Sequence, residues 1–178
     1  MIDSKVIADR SKASQGHSEL RWLLTKIAEI EPKVIVEIGV HQGYSMQTWM
    51  EAFPDAYVIG VDNDLYDLKI PMEGKHHIIL EANSHDMETG PRVVEFLNGR
   101  EADFLFIDGD HMYEGVKKDF EMYGPLVREG GIIAFDDMFL FDNPSVEVYK
   151  LWKEITDLKR HKWAFKQDDS NGIGVLYV

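Results

Sequence analysis

Apolar residues follow two periods along this chain. Leu20, Leu23, Leu24, Ile27 and Ile30 recur at the three-and-four spacing of one helix face, and Glu31-Pro32 closes that helix. A β-branched run follows over residues 33–39, where Val34, Ile35, Val36 and Ile38 predict a strand buried on both faces. The alternation then repeats. Helices are predicted over residues 45–53, 91–98, 114–128 and 146–158, and strands over 57–61, 76–80, 103–107 and 132–135. Pro54-Asp55 stops the first of these helices, Pro91 and Gly99 bracket the second, and Gly130-Gly131 follows the third. Two last strands, 163–166 and 173–178, flank a short turn-rich stretch (168–172) and are expected to pair as a hairpin.

Such alternation predicts one α/β domain: a doubly wound, mostly parallel sheet of seven strands with a C-terminal antiparallel hairpin. The polar residues 1–17 are expected to form a tail or lid on a domain spanning 18–178. In sheets of this kind ligands bind beyond the carboxyl ends of the strands. Polar residues gather at those ends: Glu37 and Gly39 after the first strand, Asp62 after the second, Asp108 after the fourth, Asp136 and Asp137 after the fifth.

Composition narrows the chemistry. There is no cysteine among the 178 residues, which excludes disulfides, thiolate metal sites and cysteine nucleophiles. Lys and Arg number 19 against 32 Asp and Glu, a net charge of −13, so neither nucleic acid nor an anionic membrane is an expected partner. The densest basic stretch is only residues 159–162. The N-terminus has no apolar core of signal-peptide length, and no apolar run approaches the roughly 20 residues that cross a bilayer. A cytoplasmic protein is the expectation.

Two stretches carry candidate chemistry. In Val36-Glu37-Ile38-Gly39-Val40-His41-Gln42-Gly43-Tyr44-Ser45, the glycines allow a tight turn, and the helix starting near Ser45 offers free N–H groups to an anionic ligand. The Gly-x-x-x-Gly spacing differs from the Gly-x-Gly-x-x-Gly of nicotinamide enzymes. Asp62 lies 23 residues beyond Gly39, the distance of an acid that takes ribose hydroxyls. In the second stretch, Phe106 to Val116 followed by Phe135-Asp136-Asp137, adjacent strand ends would bring Asp108, Asp136 and Asp137 together. Three carboxylates favour a hard cation such as Mg²⁺. Asp110 is expected to cap the next helix, and His111 to act as general base. His76 and His77 are expected at the surface, and the four tryptophans in core packing. Phe139 to Phe141 suit an acceptor-pocket floor and core packing equally.

With these residues in view, the sequence resembles a class I S-adenosylmethionine-dependent methyltransferase. Residues 36–45 resemble that superfamily's first motif, and 58–62 its second strand and acid. Residues 103–116 with 130–137 resemble the cephalosporin hydroxylase-like subgroup, which includes metal-dependent sugar O-methyltransferases of macrolide biosynthesis. The resemblance covers residues 15–178. It implies a Rossmann-like fold. It also implies that Glu37, Gly39, Gly43 and Ser45 line the amino-acid end of the cofactor, Asp62 and Asn63 its ribose, Asn83 and Ser84 its adenine, with Asp108 close by. Asp108, Asp136 and Asp137 match the metal ligands, and His111 the base. The implied reaction is Mg²⁺-assisted methylation of a hydroxyl on a small molecule, a sugar or vicinal diol. A metal-independent methyltransferase and a non-catalytic cofactor-binding protein stay open beside it. Two candidates cover the site: residues 1–17, or a neighbouring subunit of a homo-oligomer.

Overall fold

The computed structural model describes residues 2–155, 162–166 and 171–178. Its eight strands form one sheet in the order β3-β4-β2-β1-β5-β6-β8-β7. They are β1 (Val34–Ile38), β2 (Tyr57–Asp62), β3 (Glu73–Gly74), β4 (His77–Glu81), β5 (Ala102–Ile107), β6 (Val127–Phe135), β7 (Lys162–Phe165) and β8 (Ile173–Tyr177). Strands β4, β2, β1, β5 and β6 run parallel, while β3, β8 and β7 pair antiparallel at the two edges. The expected doubly wound, Rossmann-like architecture is present. It holds one strand more than the sequence pattern predicts, because Glu73-Gly74 is too short and polar to show a period.

The period of two along β1 divides the core. Val34, Val36 and Ile38 face a cluster that includes helices α4 (Thr89–Leu97), α5 (Tyr113–Tyr123) and α6 (Val148–Glu154). Ile35 faces the opposite cluster, which includes α1 (Ser4–Arg10), α2 (His17–Ala28) and α3 (Tyr44–Ala52). On that face the fully buried Trp49 packs edge-on against Phe104 and Phe106, with ring centres 5.6 and 5.5 Å away. At the amino ends of the strands, Asp103 accepts from the backbone N–H groups of Lys33 (2.7 Å) and Val34 (2.8 Å), so this acid serves the sheet and not the crevice.

Several boundaries differ from the sequence pattern. The fourth predicted helix ends at Tyr123, five residues early, because Pro125 turns the chain through a short 3₁₀ segment (Gly124–Leu126). Strand β6 then starts at Val127. Gly130 (φ +76°) lies inside it, at the irregular step where β5 pairing jumps from Val127 to Ile132. Helix α6 is described from Val148 to Glu154, and residues 156–158 of the predicted helix lie outside the described residues. So do the basic residues 159–161 and most of the hairpin turn. His77, expected at the surface, is buried and bonds through Nε2 to the Pro71 carbonyl at 2.9 Å, an anchor that a lone His at a strand start does not announce. Within the described residues of the N-terminal segment, Ser4–Arg10 form a helix, α1. Asp3 caps α1, accepting from Val6 N–H at 3.1 Å, and Ile7 and Ala8 are buried in the core. No helix among the described residues is long and apolar enough to cross a membrane.

Candidate active site

The site grows out of the sheet ladder one residue past each strand tip. Gly39 N–H donates to Val61 O (2.9 Å), Asp108 N–H to Ile38 O (2.8 Å) and Asp136 N–H to Ile107 O (3.2 Å). Tips β2, β1, β5 and β6 are thereby laced in order, and Asp108 and Asp136 are held side by side. Gly39 has φ +91°, and a Cβ there would overlap the Asp108 backbone carbonyl, so only glycine allows the β1 and β5 tips to meet. Asp137 also sits in the left-handed region, at φ +58°.

A cavity of about 910 Å³ opens over these tips. Gly39, Ser45, Asp62, Asn63, Asn83, Ser84, Asp108, His111, Asp136 and Asp137 all line it. Asp62 pins the glycine loop: one carboxylate oxygen accepts from Val40 N–H (2.7 Å) and His41 N–H (2.6 Å), the other from Asp64 N–H (2.8 Å). On the far side, the Asn83 carbonyl accepts from Thr89 Oγ1 (2.8 Å) and the Ser84 carbonyl from the buried Tyr123 hydroxyl (2.7 Å). Asp110, expected to cap α5, instead accepts from Met112 N–H (2.9 Å) in a turn before the helix, whose N-cap position is Met112 with no side-chain cap hydrogen bond.

Glu37 and Gly43 do not line the cavity. Glu37 points to the α1–α3 face, the same side as Ile35, and is fully buried. Its carboxyl group accepts from the Ser45 hydroxyl and from Trp49 Nε1 (2.6 Å). Burial pushes its pKa up to about 8, against the pull of those two donors. It supports the floor from behind, and its burial favours the uncharged form. Gly43, at φ +82°, starts α3 against Ile70.

The acids divide into two arrangements. Ligand atoms of Asp108, His111 and Asp137 lie within 4.8 Å of one another, a group able to hold a metal ion. His111 Nδ1 is 3.2 Å from Asp137 Oδ2. Asp136, 7% exposed, turns instead toward Gln15, whose amide nitrogen donates to Asp136 Oδ2 (2.7 Å) and Asp108 Oδ2 (2.9 Å). Asp136 Oδ1 is buried without a hydrogen-bond partner. Burial pushes the Asp136 pKa up to about 7, and the Asp137 charge adds to this. Asp108 is raised well above the carboxylate range, first by burial and then by Asp136 and Asp137. A crowded, desolvated set of hard oxygen donors fits a divalent cation, which supplies the missing counter-charge.

The sequence pattern placed residues 12–16 in a tail or lid without singling out any of them, and did not single out Glu19; all of these line the same cavity. Glu19 accepts from Gly16 N–H (3.2 Å) and from Gly172 N–H (2.6 Å), joining this segment to the start of β8. No period marks such residues. The only signal is a run of Ser, Gln and Gly just before an amphipathic helix.

Residues 36–138 match the family model described as "Methyltransferase domain". The chain belongs to this methyltransferase family. The matched range contains both motifs on which the resemblance rested. Among methyltransferase relatives, caffeoyl-CoA O-methyltransferase of Populus kitakamiensis is 32% identical over 136 residues, 73% of this chain and 57% of the relative. Tapetum-specific methyltransferase 1 of Arabidopsis thaliana is 34% identical over 127 residues, 67% of this chain and 52% of the relative. The chain thus spans little more than half the length of these curated relatives. The fold of this methyltransferase domain recurs in an O-methyltransferase from Bacillus cereus solved in complex with SAH, with TM-score 0.72, 16% identity, and 98% and 87% of the two chains covered. It recurs also in MycE methyltransferase of the mycinamycin biosynthetic pathway, solved with Mg, SAH and mycinamycin VI. There the TM-score is 0.69 at 16% identity, covering 98% of this chain and 54% of MycE.

Proposed function

We propose that this chain transfers a methyl group from S-adenosylmethionine to a hydroxyl oxygen of a small molecule, a sugar or vicinal diol, with help from a divalent cation such as Mg²⁺. The observation that carries this reading is the convergence of Asp108, Asp136, Asp137 and His111 at neighbouring strand tips in one cavity beside the glycine loop. The Mg and SAH of the MycE structure, and the oxygen acceptor in the name of the poplar relative, point the same way.

The donor supplies a methyl carbon on a positive sulfonium, and the cation lowers the pKa of the acceptor hydroxyl and fixes its direction. The rest is the work of the chain. Asp62 holds the glycine loop in shape for the donor's ribose, with Asn63 beside it. Asn83 and Ser84, tied down by Thr89 and Tyr123, would face the adenine. Asp108, Asp136 and Asp137 would hold the cation. Asp137, whose Oδ2 lies 3.2 Å from His111 Nδ1, would orient the ring, and the 39% exposed His111 side chain would take the acceptor's proton. Holding nucleophile and methyl group in line contributes roughly 7–11 kcal/mol to rate acceleration in well-oriented systems. Residues 1–17 act as the lid of the 18–178 domain in this reading.

The test is methyl transfer from labelled S-adenosylmethionine to a panel of glycosides and vicinal diols, with Mg²⁺ and after complete chelation. Cation-dependent label on oxygen is expected. Full activity after chelation supports a metal-independent methyltransferase instead. Tight donor binding with no acceptor methylated supports a non-catalytic binder.

A further inference from the structure

Gln15 is the least expected residue of the site. It sits between α1 and α2, outside the matched family range, yet it is 5% exposed and reaches the tips of β5 and β6. Its two amide hydrogens are both used, one on Asp108 and one on Asp136. Its Oε1 is buried with no hydrogen-bond partner, as is Asp136 Oδ1 nearby. A buried amide oxygen without a partner is costly and needs a reason. The segment is fixed on both sides of it. Ser11 Oγ shares a 2.7 Å hydrogen bond with Thr48 and accepts from Ala13 N–H (3.1 Å), while Glu19 secures Gly16 and Gly172. The side chain is therefore delivered to the acids by a held backbone.

We propose that Gln15 is a ligand-bearing member of the cation site: its amide nitrogen bridges Asp108 and Asp136 in the cation-free chain, and on cation binding the amide turns over to present Oε1 as a neutral oxygen ligand. This rests on the cation-dependent reading above. The exchange requires only rotation about the last side-chain bond, because amide oxygen and nitrogen are nearly the same size. The nitrogen carries two donors and no acceptor, so it suits the bare carboxylates and repels a cation. The oxygen does the reverse. Hard divalent cations accept side-chain amide oxygens beside carboxylates. A neutral ligand also suits this position better than a fourth acid. Glutamate at residue 15 would add a further charge to Asp108, Asp136 and Asp137, which already disfavour each other's ionisation.

The experiment is Mn²⁺ binding to the full chain at neutral pH, followed by electron paramagnetic resonance of the free ion, with neither donor nor acceptor present. Wild type is expected to bind one Mn²⁺. Gln15→Leu, which keeps the bulk and removes both polar atoms, is expected to bind at least about tenfold more weakly. If the amide is only a plug or a structural clamp, Gln15→Leu binds Mn²⁺ as well as wild type or better, and the proposal is overturned while the cation site stands. Absence of Mn²⁺ binding in wild type overturns both. Should Gln15→Leu not fold, Gln15→Met, which keeps the length and removes the amide, decides in its place: Mn²⁺ binding at least about tenfold weaker supports the proposal, and unchanged or tighter binding overturns it.

Discussion

His111 Nδ1 lies 3.2 Å from Asp137 Oδ2, on a chain held in place where Glu147 N–H donates to the His111 carbonyl at 2.7 Å. The ring is thus placed beside one acid, on a side chain that is 39% exposed. Its place in the metal-capable group with Asp108 and Asp137 makes base and ligand separable by one variant.

His111→Ala is expected to lower turnover by about 10²–10⁴-fold, the usual contribution of a positioned base, and to leave Mn²⁺ affinity and S-adenosylmethionine affinity unchanged. Turnover kinetics with parallel binding titrations check this. Loss of Mn²⁺ binding in the same variant would make His111 a ligand.

Asp62→Ala is expected to weaken S-adenosylmethionine binding by roughly ten- to hundred-fold, because hydrogen bonds to a charged group contribute about 1.5–3 kcal/mol. The variant releases the N–H groups of Val40, His41 and Asp64 together and loosens the glycine loop. Isothermal titration calorimetry measures the change. Binding equal to wild type would remove Asp62 from the donor site.

Gly39→Ala is expected to destabilise the fold by more than about 1 kcal/mol, since φ +91° strains any L side chain and the new Cβ meets the Asp108 carbonyl. Urea unfolding gives the loss. Donor and Mn²⁺ binding should fall together, because the β1 and β5 tips are pushed apart.

Glu37 gives a pH prediction. Between its ordinary 4.5 and about 8, the unfolded chain has released this proton and the folded chain keeps it. The folded state then binds more protons, so stability falls as pH rises across that window, by at most about 1.4 kcal/mol per pH unit. Below 4.5 and above about 8 this group contributes no slope. Glu37→Gln imitates the protonated form, and its thermal unfolding between pH 5 and 8 is expected to be flatter than that of wild type. Equal slopes would contradict the assignment.

The fold was legible where packing leaves a repeating signature. Val34, Ile35 and Val36 announce a central strand because both faces are buried, and the Leu20 to Ile30 stripe announces α2 because one face is. The strand-tip acids were legible for the same reason: their positions follow from those of the apolar runs. What stayed hidden depends on single contacts without a period. Pro125 ends α5 early, and Gly130-Gly131, which resemble a helix stop, sit in a bulge of β6. Glu37 looked like a site acid, yet strand alternation places it beside Ile35, facing Trp49. Gln15 comes from a polar stretch that only tertiary structure carries to Asp136, more than a hundred residues away.

The most direct measurement is anomalous diffraction at the manganese edge from a crystal of this chain soaked with S-adenosylhomocysteine and Mn²⁺. One anomalous peak within coordination distance of the Asp108 and Asp137 carboxylates, with the nucleoside over Asp62, is the predicted result. The same crystal with S-adenosylhomocysteine in the cavity and no manganese among those acids would contradict cation-assisted methyl transfer at this site.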